Sequence, residues 1–265
     1  HPHRGFETVT LVRRGVVDHS DSLGAAGRYG DGDTQWMTAG GGVQHAEMFP
    51  LLRSDEGNPL ELFQIWLNLP GRDKMVDPHY TMLWSERVPR VRMVDGGGRA
   101  TVVTLVAGQL GDEAPPAPPP SSWASNPESD VAIWTIRLEE EAEWAVPPTG
   151  PGTNRTLYFF EGEALAAAGS EVPPRSGVTL QADAEVSLRA GPGGADLVLH
   201  HGRPIGEPVA QQGPFVMNSD REIMQAYADY RDTEFGGWPW DRSDPVHGHT
   251  EGRFARHADG RIERP

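Results

Sequence analysis

The chain has 265 residues, enough for one large domain or two medium-sized ones, and a formal net charge of −15. Such a surface repels a phosphate backbone, so we expect no direct nucleic-acid partner. The absence of cysteine excludes disulfides, thiolate metal sites and a cysteine nucleophile. No stretch approaches the roughly 20 apolar residues that span a membrane, so we expect a cytoplasmic protein without a membrane partner.

Short apolar runs separated by turns fill the first 110 residues. The 32 glycines and 24 prolines favour a turn-rich β protein over a helical bundle. A glycine run at 40–42 allows a tight turn that approaches the following strand without a Cβ clash. The predicted strands are residues 7–12 (ETVTLV), 34–39 (TQWMTA), 61–70 (ELFQIWLNLP) and 101–108 (TVVTLVAG).

A second β region follows a proline-rich segment at residues 112–130. Prolines favour extended backbone, which predicts an interdomain linker or a long surface crossing. The two halves of the chain share the same strand-and-turn character, and this indicates a duplicated barrel. The predicted strands of the second half are residues 131–139, 155–165, 177–190 and 195–205.

One helix is predicted near the C-terminal end. Ser219 and Glu222 have the spacing of a capping box, and apolar residues follow at i, i+3, i+4 and i+7. The FGGWPW segment (235–240) ends the helix. The remaining residues are polar, and we predict a tail that wraps the surface or is partly mobile.

Two pairs of side chains carry the chemistry: His1 with His3, and His45 with Glu47. Each pair is spaced i, i+2, and residues at this spacing share one face of a β-strand. Two such pairs on neighbouring strands aim three imidazoles and one carboxylate at a common point. This donor set suits a first-row divalent metal and leaves coordination positions for exchangeable ligands.

Several long motifs, in this order, resemble the pirin family. HPHRGFETVT (1–10), DSLG (21–24) and GDTQWMTAGGGVQHAEM (32–48) resemble the pirin metal-site region. The second half of ELFQIWLNLP resembles the W-x-N-L-P strand of the family. GRPIGEPVAQQGPFVMNSDREIMQAYADYR (202–231) resembles its C-terminal signature, in which GPFVMN is the most specific part.

The resemblance implies an all-β bicupin, with two cupin-type β-barrels side by side and a short C-terminal helix. It predicts an N-terminal metal-binding barrel over residues 1–112 and a proline-rich linker over 113–128. A C-terminal barrel without metal ligands, together with the helix, is predicted over 129–235, and a polar tail over 236–265. Family members carry a further segment before the histidine pair, so we expect early strands of the first barrel to be missing.

The resemblance also implies the site. The metal ligands of the family fall on His1, His3, His45 and Glu47, and the expected metal is Fe(II), with Mn, Co, Ni, Cu or Zn as alternatives. Some pirins resemble quercetin 2,3-dioxygenases, which implies a flavonol substrate, O2, and Glu47 as general base. Other pirins act as transcriptional co-regulators or bind metabolic enzymes. A metal- or redox-dependent regulatory protein with a protein partner is therefore the alternative.

Glu7 lies four residues after His3, where many other cupins place a ligating glutamate. Since the pirin resemblance gives that role to Glu47, we expect Glu7 to support the ligands without binding the metal.

The other histidines are weaker candidates. His200 and His201 are adjacent, so a strand turns them to opposite faces and they cannot chelate together. His247 and His249 are predicted to lie in a solvated tail. His79 either lines the entrance of the site or packs a turn.

Overall fold

The structure, a computed structural model, describes residues 1–265 and is mostly β-sheet with one α-helix. The predicted all-β class with a C-terminal helix is confirmed. Helix α1 spans Asp220–Thr233, and short 3-10 turns lie at Gly71–Asp73, Trp123–Ser125, Pro127–Ser129 and Glu234–Gly236. In chain order the strands are β1 (Pro2–His3), β2 (Phe6–Arg14), β3 (Val16–Asp21), β4 (Ala26–Gly30), β5 (Thr34–Thr38), β6 (Val43–Met48), β7 (Glu61–Asn68), β8 (His79–Leu83), β9 (Arg90–Val94), β10 (Ala100–Ala107), β11 (Ala132–Leu138), β12 (Glu143–Val146), β13 (Asn154–Gly162), β14 (Leu165–Ala167), β15 (Ser170–Val172), β16 (Ser176–Thr179), β17 (Val186–Ala190), β18 (Ala195–Gly202), β19 (Ala210–Gln212), β20 (Phe215–Met217), β21 (Phe254–Arg256) and β22 (Ile262–Glu263).

The chain forms two compact units. The first comprises His1–Glu86, Pro118–Trp123 and Gly206–Pro265, and the second comprises Arg87–Ala117 and Ala124–Ile205. These bounds differ from the predicted domain boundaries, because β9 and β10 belong to the second unit while α1 and the tail belong to the first. Hydrogen-bonded ladders explain the difference, since β10 pairs with β11 and β21 pairs with β4.

Two main sheets build the first unit. One has the strand order β1-β6-β3-β4-β21-β22, and the other has the order β7-β2-β5-β8. Strands β19 and β20 form a separate hairpin. Strand β6 lies between β1 and β3, so the two predicted site segments are hydrogen-bonded neighbours.

The second unit also has two sheets, of order β16-β13-β18-β11-β10-β9 and β12-β17-β14-β15. Its core follows the two-residue period of the strands. On β11, Ala132, Trp134, Ile136 and Leu138 are buried and contribute to one apolar cluster, as their alternation predicts. Burying this face supplies the main stabilisation of the unit.

Helix α1 begins with the predicted capping box. The Ser219 Oγ accepts a hydrogen bond from the backbone N–H of Glu222, and the Glu222 carboxylate accepts one from the backbone N–H of Asn218. Ile223 and Ala226 are buried against Phe215 and neighbouring residues of the first unit. Burial of this apolar stripe fixes the helix on the first unit.

Backbone groups of the polar tail bond to a buried ion pair between strands β3 and β4. Arg28 donates from Nε and Nη2 to the two carboxylate oxygens of Asp18, at 2.7 and 2.8 Å. The Arg28 Nη1 also donates to the backbone carbonyls of Gly248 and Glu251. Pairing of β21 with β4 extends this attachment. The tail is therefore part of the first sheet.

Lys74 is buried and ties three segments of the first unit together. Its Nζ donates to the carbonyls of Gly5 and Val216, at 2.8 and 2.9 Å, and to the Oδ1 of Asn68 at 2.7 Å. Burial lowers the pKa of this ammonium group to about 8. The GPFVMN segment, which contains Val216, thus has a structural function at this position.

Lys74→Met is expected to lower the free energy of unfolding by about 3 kcal/mol, because it leaves two buried carbonyls and the partly buried Asn68 side chain unpaired at roughly 1–3 kcal/mol each. Urea unfolding measures this change. Arg72→Met, at a side chain that is 68% exposed, is the control and should change stability little. A Lys74→Met variant as stable as this control would contradict the structural role.

His200 and His201 lie on β18 and face opposite ways, as predicted. The ring of His200 contacts Tyr158, which is partly exposed, and the ring of His201 contacts the buried Trp134. Burial lowers the pKa of both imidazoles to about 4. Both rings are consequently neutral over the physiological range.

These two pKa values predict an acid-sensitive fold. Between pH 6.5 and pH 4 the unfolded chain binds protons that the folded chain excludes, so stability is lost as the pH falls. His200→Gln should reduce the stability loss between pH 7 and pH 4.5 by on the order of 2 kcal/mol. Chemical unfolding at both pH values measures the difference. An identical loss in wild type and variant would contradict the assignment.

No helix of the structure is both long and apolar enough to cross a membrane.

Candidate metal centre

Three imidazoles meet at the end of β1 and the middle of β6. The antiparallel register pairs His3 with Val43, and the His45 backbone N–H donates to the His1 carbonyl at 3.0 Å. The i, i+2 spacing keeps His3 and His1, which directly precedes β1, on the face that carries His45. The Nε2 of His45 lies 3.0 Å from the Nε2 of His1 and 3.1 Å from that of His3.

This spacing fits a metal ion. Adjacent nitrogen ligands about 2.1 Å from an octahedral ion lie about 3.0 Å apart, which matches both separations. Burial lowers the pKa of His3 to about 4 and lowers that of His45 well below its usual value. Both rings are therefore neutral and present a lone pair, the form that a metal requires. The structure thus brings three of the four predicted ligands together.

Glu47 shares the β6 face of His45, but its carboxylate lies outside the histidine cluster. Gln64 donates from Nε2 to one carboxylate oxygen at 2.7 Å. The hydroxyls of Tyr29 and Thr10 donate to the other, each at 3.3 Å. Burial, with a contribution from Glu47, raises the pKa of Tyr29, so this phenol remains a donor. Neutral donors thus orient Glu47 next to the cluster.

Glu7 does not support the ligands, and this expectation is wrong. Glu7 and Thr10 lie three residues apart on β2 and so face opposite sides, and Thr10 is the residue that contacts Glu47. The Glu7 carboxylate accepts hydrogen bonds from Trp36, Thr38 and Ser122. Burial raises its pKa to about 7.

The glycine run before β6 is required by its surroundings. Gly40 and Gly42 have φ values of 49° and 138°, which side chains rarely adopt. A Cβ on Gly40 would lie 2.1 Å from the carbonyl of Val76, and one on Gly42 would lie 2.6 Å from the Phe235 ring. The glycines therefore allow the close approach that places His45, as the sequence predicted.

The comparisons with known proteins identify the family of this chain. The family model described as pirin matches residues 1–67, and the pirin C-terminal cupin domain matches residues 133–236. Pirin from Homo sapiens is 35% identical over 241 residues, which are 89% of this chain and 77% of that protein. The chain belongs to the pirin family.

Two further relatives carry names that refer to an activity. A Pseudomonas aeruginosa protein provisionally named a quercetin 2,3-dioxygenase is 37% identical to this pirin over 238 residues, covering 89% of the chain and 78% of that protein. The crystal structure of a quercetin 2,3-dioxygenase from Acinetobacter baumannii has a TM-score of 0.78 and 31% identity. That match covers 89% of this pirin and 78% of the other chain.

A cavity of about 630 Å³ opens beside the cluster. Its lining includes His1, His45 and Glu47 together with Phe49, and the tail of this pirin adds Trp238 and Ser243. The matched family segments end at residue 236, so these two tail residues lie outside them. A cavity of this size suits a small organic molecule.

Sequence reasoning missed His19 and Asp21. Both are fully buried on β3, which pairs with β6, and the ring centroid of His19 lies 5.5 Å from that of His45. The signal was present, since a histidine and an aspartate at i, i+2 on a strand share a face, as do the ligand pairs.

The remaining histidines lie apart from the cluster. The Nε2 of His247 lies 3.1 Å from the backbone carbonyl of His19, so the tail at this point packs against β3, whereas His249 is exposed. His79 is the first residue of β8. Burial lowers the pKa of its imidazole, and His257 and Arg261 of the tail lower it further.

Proposed function

We propose that this pirin is a metal-dependent oxygenase of the quercetin 2,3-dioxygenase type, cleaving a flavonol with O2. The observation that carries the proposal is the convergence of three imidazoles beside an oriented carboxylate, with the Nε2 of His45 lying 3.0 and 3.1 Å from those of His1 and His3. The likeness to the Acinetobacter baumannii quercetin 2,3-dioxygenase supports it. We further propose that each unit forms one cupin barrel.

The residues that would hold the metal are His1, His3, His45 and Glu47. Fe(II) is the metal we expect, with Mn, Co, Ni, Cu or Zn as alternatives. When bound, such an ion supplies Lewis acidity toward the substrate hydroxyl and a site for O2 chemistry.

Glu47 is positioned to act as the general base. A flavonol must lose its 3-hydroxyl proton before its ring reacts, and a carboxylate within hydrogen-bond reach of that hydroxyl accepts it. Gln64, Tyr29 and Thr10 donate to the carboxylate and hold it beside the histidine cluster, where it would accept the proton when it is not bound to the metal. The proton then resides on the Glu47 carboxyl group.

The tail is expected to contribute to substrate binding through Trp238. Its indole lines the cavity that opens at His45 and Glu47, where it offers an apolar wall to a flat aromatic molecule. Trp238→Ala should raise KM for quercetin several-fold and change kcat little, because the indole touches no reacting group. Steady-state kinetics separate the two constants, and Trp144→Ala in the second unit is the control. A drop confined to kcat would contradict this role.

Oxygen uptake tests the proposal. The chain is loaded with Fe(II) without oxygen, freed of excess metal and mixed with quercetin in an oxygen-electrode cell. We expect O2 consumption equal to quercetin loss, together with release of carbon monoxide. The absence of uptake with each of the six metals, in protein that retains one equivalent of metal, would contradict the proposed activity and favour the regulatory alternative.

A further inference from the structure

Asp21 is a rigid, fully buried hydrogen-bond acceptor. One carboxylate oxygen accepts the backbone N–H groups of Leu23 and Ala25, both at 2.9 Å. The other oxygen lies 3.1 Å from the Nε2 of His19. An ionised carboxylate only accepts hydrogen bonds, so this contact places the proton of a neutral His19 on Nε2 and leaves a lone pair on Nδ1.

His45 presents the complementary group. Its Nε2 faces the other two site histidines, and its Nδ1 is buried without a hydrogen-bond partner. If Nε2 binds a metal, Nδ1 carries the proton. The Nδ1 of His19 is likewise buried and unpartnered. Buried polar atoms normally have a hydrogen-bond partner, so two unpaired nitrogens in neighbouring rings are unusual.

The two rings are close enough to supply each other's partner. Their centroids lie 5.5 Å apart with a 56° angle between planes, and the two residues lie on the paired strands β3 and β6. His45 offers the N–H and His19 the lone pair. No other residue is paired with either nitrogen.

We propose that His19 is a positioning residue, through which Asp21 orients metal-ligating His45 in a carboxylate–histidine–histidine relay. The inference rests on the proposed ligand role of His45. A hydrogen bond from His45 to His19 would fix the tautomer and the ring orientation of His45, as hydrogen-bond partners of metal-bound imidazoles generally do.

The surroundings hold His19 in place. Its ring stacks on Tyr80, with centroids 5.4 Å apart and planes 17° apart. The tail contacts the same strand, because Trp240 donates from Nε1 to the carbonyl of Asp21 at 2.8 Å and His247 contacts the carbonyl of His19. These contacts hold the His19 ring next to His45.

Two variants test the relay, with Ni(II) as the probe and affinity measured by competition with a chelator. His19→Phe keeps an aromatic ring against Tyr80 and removes both nitrogens. Asp21→Asn keeps an acceptor for the two backbone N–H groups but no longer accepts from His19, which favours the opposite tautomer. We expect each to weaken Ni(II) binding roughly 10- to 100-fold. His19→Gln, whose side chain supplies an acceptor, should bind Ni(II) nearly as tightly as the wild type.

A second measurement distinguishes loss of the His45 orientation from loss of the folded structure. In Co(II)-loaded protein the Nδ1 proton of His45 gives a shifted NMR signal, which the relay should protect from exchange with solvent. In His19→Phe this proton should exchange faster while thermal unfolding of the metal-free chain shows a folded protein. His200→Phe, the same change at a partly buried histidine of the second unit, should alter neither readout.

The outcomes are distinct. Unchanged Ni(II) affinity and exchange in both His19→Phe and Asp21→Asn would overturn the relay and leave the metal site standing. A wild-type chain that binds no Ni(II) would overturn the ligand assignment, and the relay with it. A lack of flavonol turnover has no bearing on this test, because no substrate is used.

Discussion

Replacing His45 with alanine is expected to remove the metal from the protein. Its Nε2 makes both short separations in the cluster, so the variant leaves His1 and His3 without the ligand that links them. Bound iron, measured by elemental analysis after loading and desalting, should fall from about one equivalent to background. His3→Ala should act in the same direction, since its ring is equally buried.

His200→Ala is the matched control, as it removes a partly buried histidine of the second unit and should leave bound iron unchanged. Near-stoichiometric iron in both His45→Ala and His3→Ala, in folded protein, would contradict the ligand assignment.

Glu47→Gln is expected to abolish flavonol cleavage more completely than metal binding. The amide keeps the size of the side chain and one oxygen for Tyr29 and Thr10, but it cannot take a proton from the substrate. Removing a general base costs typically 10²- to 10⁴-fold in rate, whereas the three histidines remain to hold the metal. Turnover per bound iron, with iron content measured on the same sample, separates the two effects.

Gln64→Ala offers a graded comparison, because it removes one donor to Glu47 and keeps the carboxylate. It should slow turnover less than Glu47→Gln does. Unchanged turnover in Glu47→Gln would exclude Glu47 from the mechanism.

The sequence predicted the parts of this molecule that depend on local periodicity. The two-residue period of the strands explains both the buried face of β11 and the shared face of His45 and Glu47. The capping box at Ser219 placed the start of α1, because the cap and the apolar stripe that follows it are both local patterns within residues 219–230. The convergence of β1 with β6 followed from the family resemblance.

Features that depend on distant pairing were not predictable in this way. The face occupied by Glu7 depends on strand register, which spacing from His3 does not define. The contacts that hold the polar tail to the surface were not predictable, because its partners, Arg28 and Asp18, lie more than two hundred residues earlier. The bounds of the two units follow from ladders between strands, and composition carries no signal for them.

X-ray absorption spectroscopy of the metal-loaded chain tests the central claim most directly, because it counts the atoms bound to the metal. With Ni(II) or Fe(II) bound at one equivalent, we predict multiple-scattering features of three imidazoles and one oxygen ligand contributed by Glu47, with the carboxylate signal lost in Glu47→Gln. A first shell of oxygen alone, or imidazole scattering that persists unchanged in His45→Ala, would contradict the site described here.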